Sequence, residues 1–234
     1  GERLTMRPKP RAQIEQEMAI IIANGGRFNG WDNPTPESGL VPERFEFMAE
    51  AMTPFLRGRQ KWCEKSERTA DVSLLHSAAI HYATTETAAT SFTKVNNRID
   101  GAARLLPMLH LNYEMLPDWR LAAGDVGSPL VIVEHPKGLT PETADHLLRF
   151  VRGGGSLLLT GMGIGQDKRF GELFGVRVTA NPTGPEALTS SVEGTAHAFE
   201  HWLYRVEATR AKVLLEVAAA DGGRHPLLTC ADLG

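Results

Sequence analysis

The sequence predicts an α/β fold built on a parallel sheet, and three observations within residues 129–165 carry that prediction. Leu130, Val131, Ile132 and Val133 form an unbroken apolar run, the pattern of a strand buried on both faces. A helix signature follows. Thr140 suits an N-cap, Pro141 fits the first helical position, and Glu142 and Asp145 bring negative charge to the first turn. Leu147, Leu148, Phe150 and Val151 supply its buried face, and Gly153-Gly154-Gly155 ends it. Ser156–Thr160 is then a second apolar strand. A strand–helix–strand unit of this length predicts a right-handed crossover between parallel strands.

Upstream, residues 1–10 are basic, contain proline and read as extended. Ile14, Met18, Ile21 and Ile22 share a face of a helix over 10–23 that Asn24-Gly25 ends. Arg27–Asp32 reads as a short strand and 33–39 as a loop. A long helix begins at Pro42, with Phe45, Met48, Ala49, Met52, Leu56 and Trp62 as buried candidates and a kink or break expected at Pro54. Residues 70–76 are the first strand of the α/β domain. Residues 77–97 are rich in Ser, Thr and Asn and read as a long loop with some helix. Ile99, Ala102, Leu105, Leu106 and Leu109 mark a helix kinked at Pro107, Tyr113–Leu116 a second strand, and 117–127 a loop.

Beyond the crossover, Phe170, Leu173 and Phe174 mark one helical turn and Val176–Thr179 a short strand. Residues 180–200 read as a loop. Leu203–Val206, Val213–Val217 and Leu227–Cys230 read as short strands, separated by Asp221-Gly222-Gly223. The expected organisation is a helical segment at 1–67, an α/β domain at 68–180, and strands at 181–234 that complete this domain or begin another.

Composition narrows the function classes. With 234 residues, 42% hydrophobic and 23% charged, the chain is long enough for a substantial core. A net charge of −3 gives no reason to expect nucleic acid or an anionic membrane as partner, and no apolar run approaches a membrane span. Cys63 and Cys230, the only cysteines, have no metal-type spacing, so neither a disulfide framework nor a zinc site is expected. No cofactor is specified. A chain that begins at Gly1 is expected to be processed or cut from a longer one.

The stretch GLTPETADHLLRFVRGGGSLLLTG resembles the middle domain behind the catalytic barrel of some glycoside hydrolases, the β-galactosidase trimerisation domain. Thr140, Glu142, Leu148, Phe150, Val151, Gly154, Gly155, Leu157 and Thr160-Gly161 match its pattern, over roughly residues 70–180. The resemblance implies a class I glutamine amidotransferase-like fold, a flavodoxin-like three-layer sandwich. Residues 12–67, from AQIEQEMAIIIANGG to KWCEKSE, look like the end of the (β/α)8 barrel in such enzymes. In that likeness the helix at 10–23 is the seventh, Gly26–Trp31 the last strand and Pro42–Glu67 the last helix. A whole barrel takes about 250 residues. At most its last one and a half repeats would be here, without the earlier strands that carry the catalytic acid and nucleophile. The alternative, favoured for this chain, is a helical extension of the α/β domain.

Four groups of residues are candidates for chemistry. Gly161-Met162-Gly163-Ile164-Gly165-Gln166 has the spacing of an amidotransferase nucleophile elbow, with Gly163 where a cysteine would stand. Gly161, Gly163 and Gly165 are therefore a degenerate elbow, and no catalytic residue is assigned. The same turn lacks GxGxxG spacing and reads as a tight turn rather than a dinucleotide site. Trp31-Asp32 could stack and hydrogen-bond a sugar, or Trp31 could simply be buried against the long helix. His197 and His201, spaced i,i+4 around Glu200, are read as a solvated helix face rather than a metal pair, and Glu134-His135 lies at the strand end where α/β sheets bind ligands. The resulting expectation is a non-catalytic structural and oligomerisation domain of a glycoside hydrolase. Its partners would be a catalytic barrel of the same or a neighbouring chain, further copies of itself, and a carbohydrate. An independent small-molecule-binding or hydrolytic α/β domain is the alternative.

Overall fold

The computed structural model describes residues 9–23, 26–30, 39, 41–66, 69–84, 100–136, 138–160 and 167–232. The chain forms two units, Gly1–Arg68 and Thr69–Gly234.

The first unit pairs α1 (Arg11–Ala23) with α2 (Pro42–Cys63). Each contributes a ridge of residues four apart: Ile14, Met18 and Ile22 from α1, and Phe47, Ala51 and Phe55 from α2. This corrects the expected face of the long helix. Phe45, Ala49 and Trp62 are exposed, because among the described residues α1 covers one narrow stripe of the long helix. Ile14, Met18 and Ile22, on the shared face of α1, are buried. The helix runs through Pro54 without a break. The strand expected over Arg27–Asp32 is not formed by its described part, 27–30, which has no regular structure.

The second unit is organised around four parallel strands, β1 (Val72–His76), β2 (Tyr113–Pro117), β3 (Leu130–Glu134) and β4 (Ser156–Thr160), in the order β2-β1-β3-β4. This is the opening order of a flavodoxin-like sheet. Helices cover both faces. On one, α4 (Asp100–Met108) packs Ala102, Ala103 and Leu106 on Val72, Leu74 and Ile132. On the other, Leu75, Leu116, Val131 and Val133 meet Ile80 of α3 (Ala78–Thr84), Leu121 of α5 (Asp118–Ala122), Leu147 and Leu148 of α6 (Pro141–Arg152), and Phe170 of α7 (Lys168–Phe174). The apolar run of β3 is thus buried on both faces, as its composition requires. Helix α5 lies where a loop was expected.

The local chemistry of the crossover follows the sequence closely. Thr140 Oγ1 accepts the Thr143 N–H at 3.1 Å and caps α6. After the helix, Gly154 takes φ +97°, and a Cβ on Gly155 would lie 2.3 Å from the Phe150 ring. One glycine supplies the left-handed turn and the other the close approach.

The C-terminal part differs most from expectation. Residues 180–200 are not a loop: β6 (Pro185–Val192) and β7 (Thr195–Trp202) form an antiparallel hairpin through Glu193-Gly194, both at positive φ. Two further strands, β9 (Lys212–Ala219) and β10 (Arg224–Cys230), complete a sheet in the order β10-β9-β6-β7. Separately, β5 (Val176–Ala180) pairs antiparallel with β8 (Arg205–Ala208).

Candidate functional site

Two places in the second unit could act on something outside it. One is the carboxyl edge of the parallel sheet, where doubly wound folds bind ligands at the point of strand-order reversal, here between β1 and β3. The strands end at His76, Pro117, Glu134 and Thr160. Ser77 is buried, and its Oγ accepts the Ile80 N–H at 3.4 Å. Asp118 Oδ2 accepts the Ala78 N–H at 2.9 Å. Both groups therefore hold the first turn of α3. Glu134 Oε1 accepts the Ala102 N–H of α4 at 3.1 Å. His135 has φ +46° and donates its own N–H to the Thr160 carbonyl at 3.0 Å. The rings of His76, His81 and Tyr82 meet edge to face, at 6.0 and 5.4 Å between centroids. The described hydrogen bonds of this edge bind backbone. The elbow glycines Gly161, Gly163 and Gly165 lie outside the described residues, as do Trp31 and Asp32.

Away from that edge, a buried polar network ties β1 to β2 that the sequence reading missed. Glu114, 4% exposed, accepts Ser73 Oγ at 2.9 Å, Arg120 Nη1 at 2.6 Å and the Gly127 N–H at 3.1 Å. Ser128 Oγ bonds Ser73 Oγ at 2.8 Å, and Arg120 also holds Asp125 at 2.8 Å. Burial pushes the Glu114 carboxyl up, but the hydrogen bonds from Arg120, Ser73 and Gly127 outweigh it and hold it below its ordinary value. A carboxylate on the core face of a short strand, with an arginine six residues later, was the available signal.

The other place is apolar. A cleft of about 310 Å³ opens where β4 meets the C-terminal strands, lined by Leu158, Leu159, Phe199, Trp202, Leu227 and Leu228 among others. Trp202 is 45% exposed and Leu228 43%; Leu158, Phe199 and Leu227 are also exposed. The core beneath is small: Leu188, Leu203, Val217 and Ala219. Near it, Arg205 clamps Glu186 at 2.5 and 2.9 Å and reaches Asp221 at 3.2 Å, joining β6, β8 and the β9–β10 turn. The hydrogen bond from Arg205 holds the Glu186 carboxyl below its ordinary value. His197 and His201 lie on strand β7, exposed, rather than on a helix. Residues four apart on a strand are roughly 13 Å apart, too far to share a metal ion. Among the described residues, no group of three or more His, Cys, Asp or Glu could hold one. No helix among them is long and apolar enough to cross a membrane.

No protein-family model matches the chain, and no curated protein matches it by sequence. Its fold, however, recurs in solved glycoside hydrolases. It superimposes on α-L-fucosidase isoenzyme 2 from Paenibacillus thiaminolyticus with a TM-score of 0.70 and 19% identity, over 96% of this chain and 34% of the other. For Gan42B, a GH42 β-galactosidase from G. stearothermophilus, the TM-score is 0.65 and the identity 15%, over 94% of this chain and 36% of the other. For the exo-β-1,4-mannosidase Op5Man5 from Opitutaceae bacterium strain TAV5 the values are 0.50 and 16%, over 83% and 33%. The chain has a fold found in part of these enzymes and spans about a third of their length.

Proposed function

We propose that this chain is a non-catalytic component of a glycoside hydrolase, which docks on a catalytic barrel and forms a contact between copies. The observation that carries this reading is the apolar cleft and the exposed Leu158, Phe199, Trp202, Leu227 and Leu228 around it. Large contiguous apolar patches are unusual on proteins that work alone and mark surfaces a partner covers. Support also comes from the fold, which matches glycoside hydrolase chains about three times as long as this one. The carboxyl edge of the sheet fits the same reading, since Ser77, Asp118 and Glu134 hold backbone N–H groups. A barrel-derived origin for residues 1–67 belongs to this proposal, with α1 and α2 as its last helices.

Cross-linking with mass-spectrometric readout tests it. Intermolecular links should concentrate on β7 and β10, and turnover of aryl glycosides or glutamine by this chain should be absent. Links spread evenly over the surface, or turnover abolished by one substitution in this chain, would overturn the reading.

A further inference from the structure

We propose that the β6–β7 hairpin is a projecting arm whose outer strand pairs with the free edge of β4 in a second copy of this chain. The inference rests on the contact between copies proposed above and names the elements that make it. The arm turns through Glu193 and Gly194, at φ +50° and +80°, so Val192 and Thr195 flank a two-residue turn. Strand β6 pairs with β9 only over residues 188–190, and past Ser190 the hairpin has no third strand among the described residues. A two-stranded ribbon by itself is marginally stable in water. Every residue of β7 is exposed, and β7 ends its sheet. In a two-residue hairpin the residues flanking the turn bond each other. Thr195, His197 and Phe199 therefore direct their backbone groups to β6, and Ala196, Ala198 and Glu200 direct theirs outward. A long exposed edge of this kind is a template for pairing with another chain.

The matching edge belongs to β4. Among the described residues β4 pairs with β3 alone. Ser156 donates its N–H to the Pro129 carbonyl at 2.8 Å, and the Thr160 carbonyl accepts the His135 N–H at 3.0 Å. Backbone groups alternate along a strand, so those of Leu157 and Leu159 point away from β3. The apolar cleft lies on that side. It is lined by the consecutive residues Leu158, Leu159 and Thr160, whose side chains leave opposite faces of the sheet, so it follows the edge of β4 rather than one face. The described residues around it include no Asp, Glu, Lys or Arg. Residues 195–199, TAHAF, equal the five residues of β4 in length and bring no carboxylate into the cleft, since Glu200 falls beyond them.

The test is sedimentation equilibrium of the full chain and its Ala198→Pro variant, with amide hydrogen exchange of Leu157 and Leu159 followed in dilute and concentrated samples. Proline at 198 removes an outward N–H and leaves the ladder to β6 in place. The wild type is expected to associate, and its Leu157 and Leu159 amides to exchange more slowly when concentrated. Ala198→Pro should associate about tenfold more weakly or worse, with those amides exchanging alike at both concentrations. A wild type that associates without slowing these amides, or a variant that associates equally well, overturns the arm and leaves the contact between copies standing. A wild type that is monomeric throughout overturns both. Should Ala198→Pro not fold, the exchange of Leu157 and Leu159 in the wild type decides alone.

Discussion

The second unit contains two sheets that solve the burial problem differently. The parallel sheet is covered by helices on both faces over β1, β2 and β3, with Leu158 of β4 left exposed at the cleft, and its charged interior residue, Glu114, is bonded to Arg120, Ser73 and the Gly127 N–H. The antiparallel sheet has four core residues beneath it and leaves Trp202, Leu214, Leu227 and Leu228 substantially exposed. The first sheet has cores on both of its sides; the second has a small core and an exposed apolar side, the surface proposed above as a contact.

Substitutions break or sharpen this contrast. The largest effect is expected in the parallel half. Leu147, fully buried between α6 and the sheet, should cost about 3 kcal/mol when replaced by alanine. Leu228→Ala, at a half-exposed position of β10, should cost below about 1 kcal/mol. Urea denaturation of both variants checks the pair, and equal losses would erase the distinction between scaffold and surface.

Glu114→Ala comes next, at about 2–3 kcal/mol, because it leaves Ser73, Arg120 and the Gly127 N–H without their shared acceptor. The same network sets an acid limit. The folded Glu114 carboxyl is held below its ordinary value, so between the folded and unfolded values the unfolded chain binds the extra proton. This contribution is present above the unfolded value, about pH 4.3, and is lost as pH falls through the folded one. Melting against pH should fall on the acid side, and the fall should be shallower in Glu114→Gln.

Smaller effects belong to the crossover turn. Gly154→Ala, at φ +97°, should cost about 1 kcal/mol, and Gly155→Ala about 1–3 kcal/mol by forcing the Phe150 ring to move. Denaturant midpoints equal to the wild type for both would contradict the roles given to these glycines.

The parallel half was the legible half, for a reason visible in its residues. Leu130-Val131-Ile132-Val133 has the pattern of a doubly buried strand, and Thr140-Pro141 with Gly153-Gly154-Gly155 brackets one helix. The stretch that forms β6 and β7 reads as loop because TSSVEGTAHA carries small and polar side chains, without apolar alternation, and its turn is Glu-Gly rather than Asn-Gly or Asp-Gly. Pairing on both sides of β6, which no local pattern encodes, makes it a strand. The apolar positions of α2 were visible, but which of them a single neighbour would cover was not. Glu114 was legible as a charge in a strand, but its partners lie in α5, β1 and the turn before β3. The apolar cleft arises where β4 meets the later strands, a meeting only the three-dimensional fold defines.

The central claim is that the exposed apolar residues of the C-terminal sheet form a contact surface, and sedimentation equilibrium of the chain beside its Leu228→Asp variant tests it most directly. The account predicts that the wild type associates as concentration rises, and that Leu228→Asp remains monomeric with an unchanged melting midpoint. A wild type that stays monomeric throughout, or a variant that associates equally well, would contradict it.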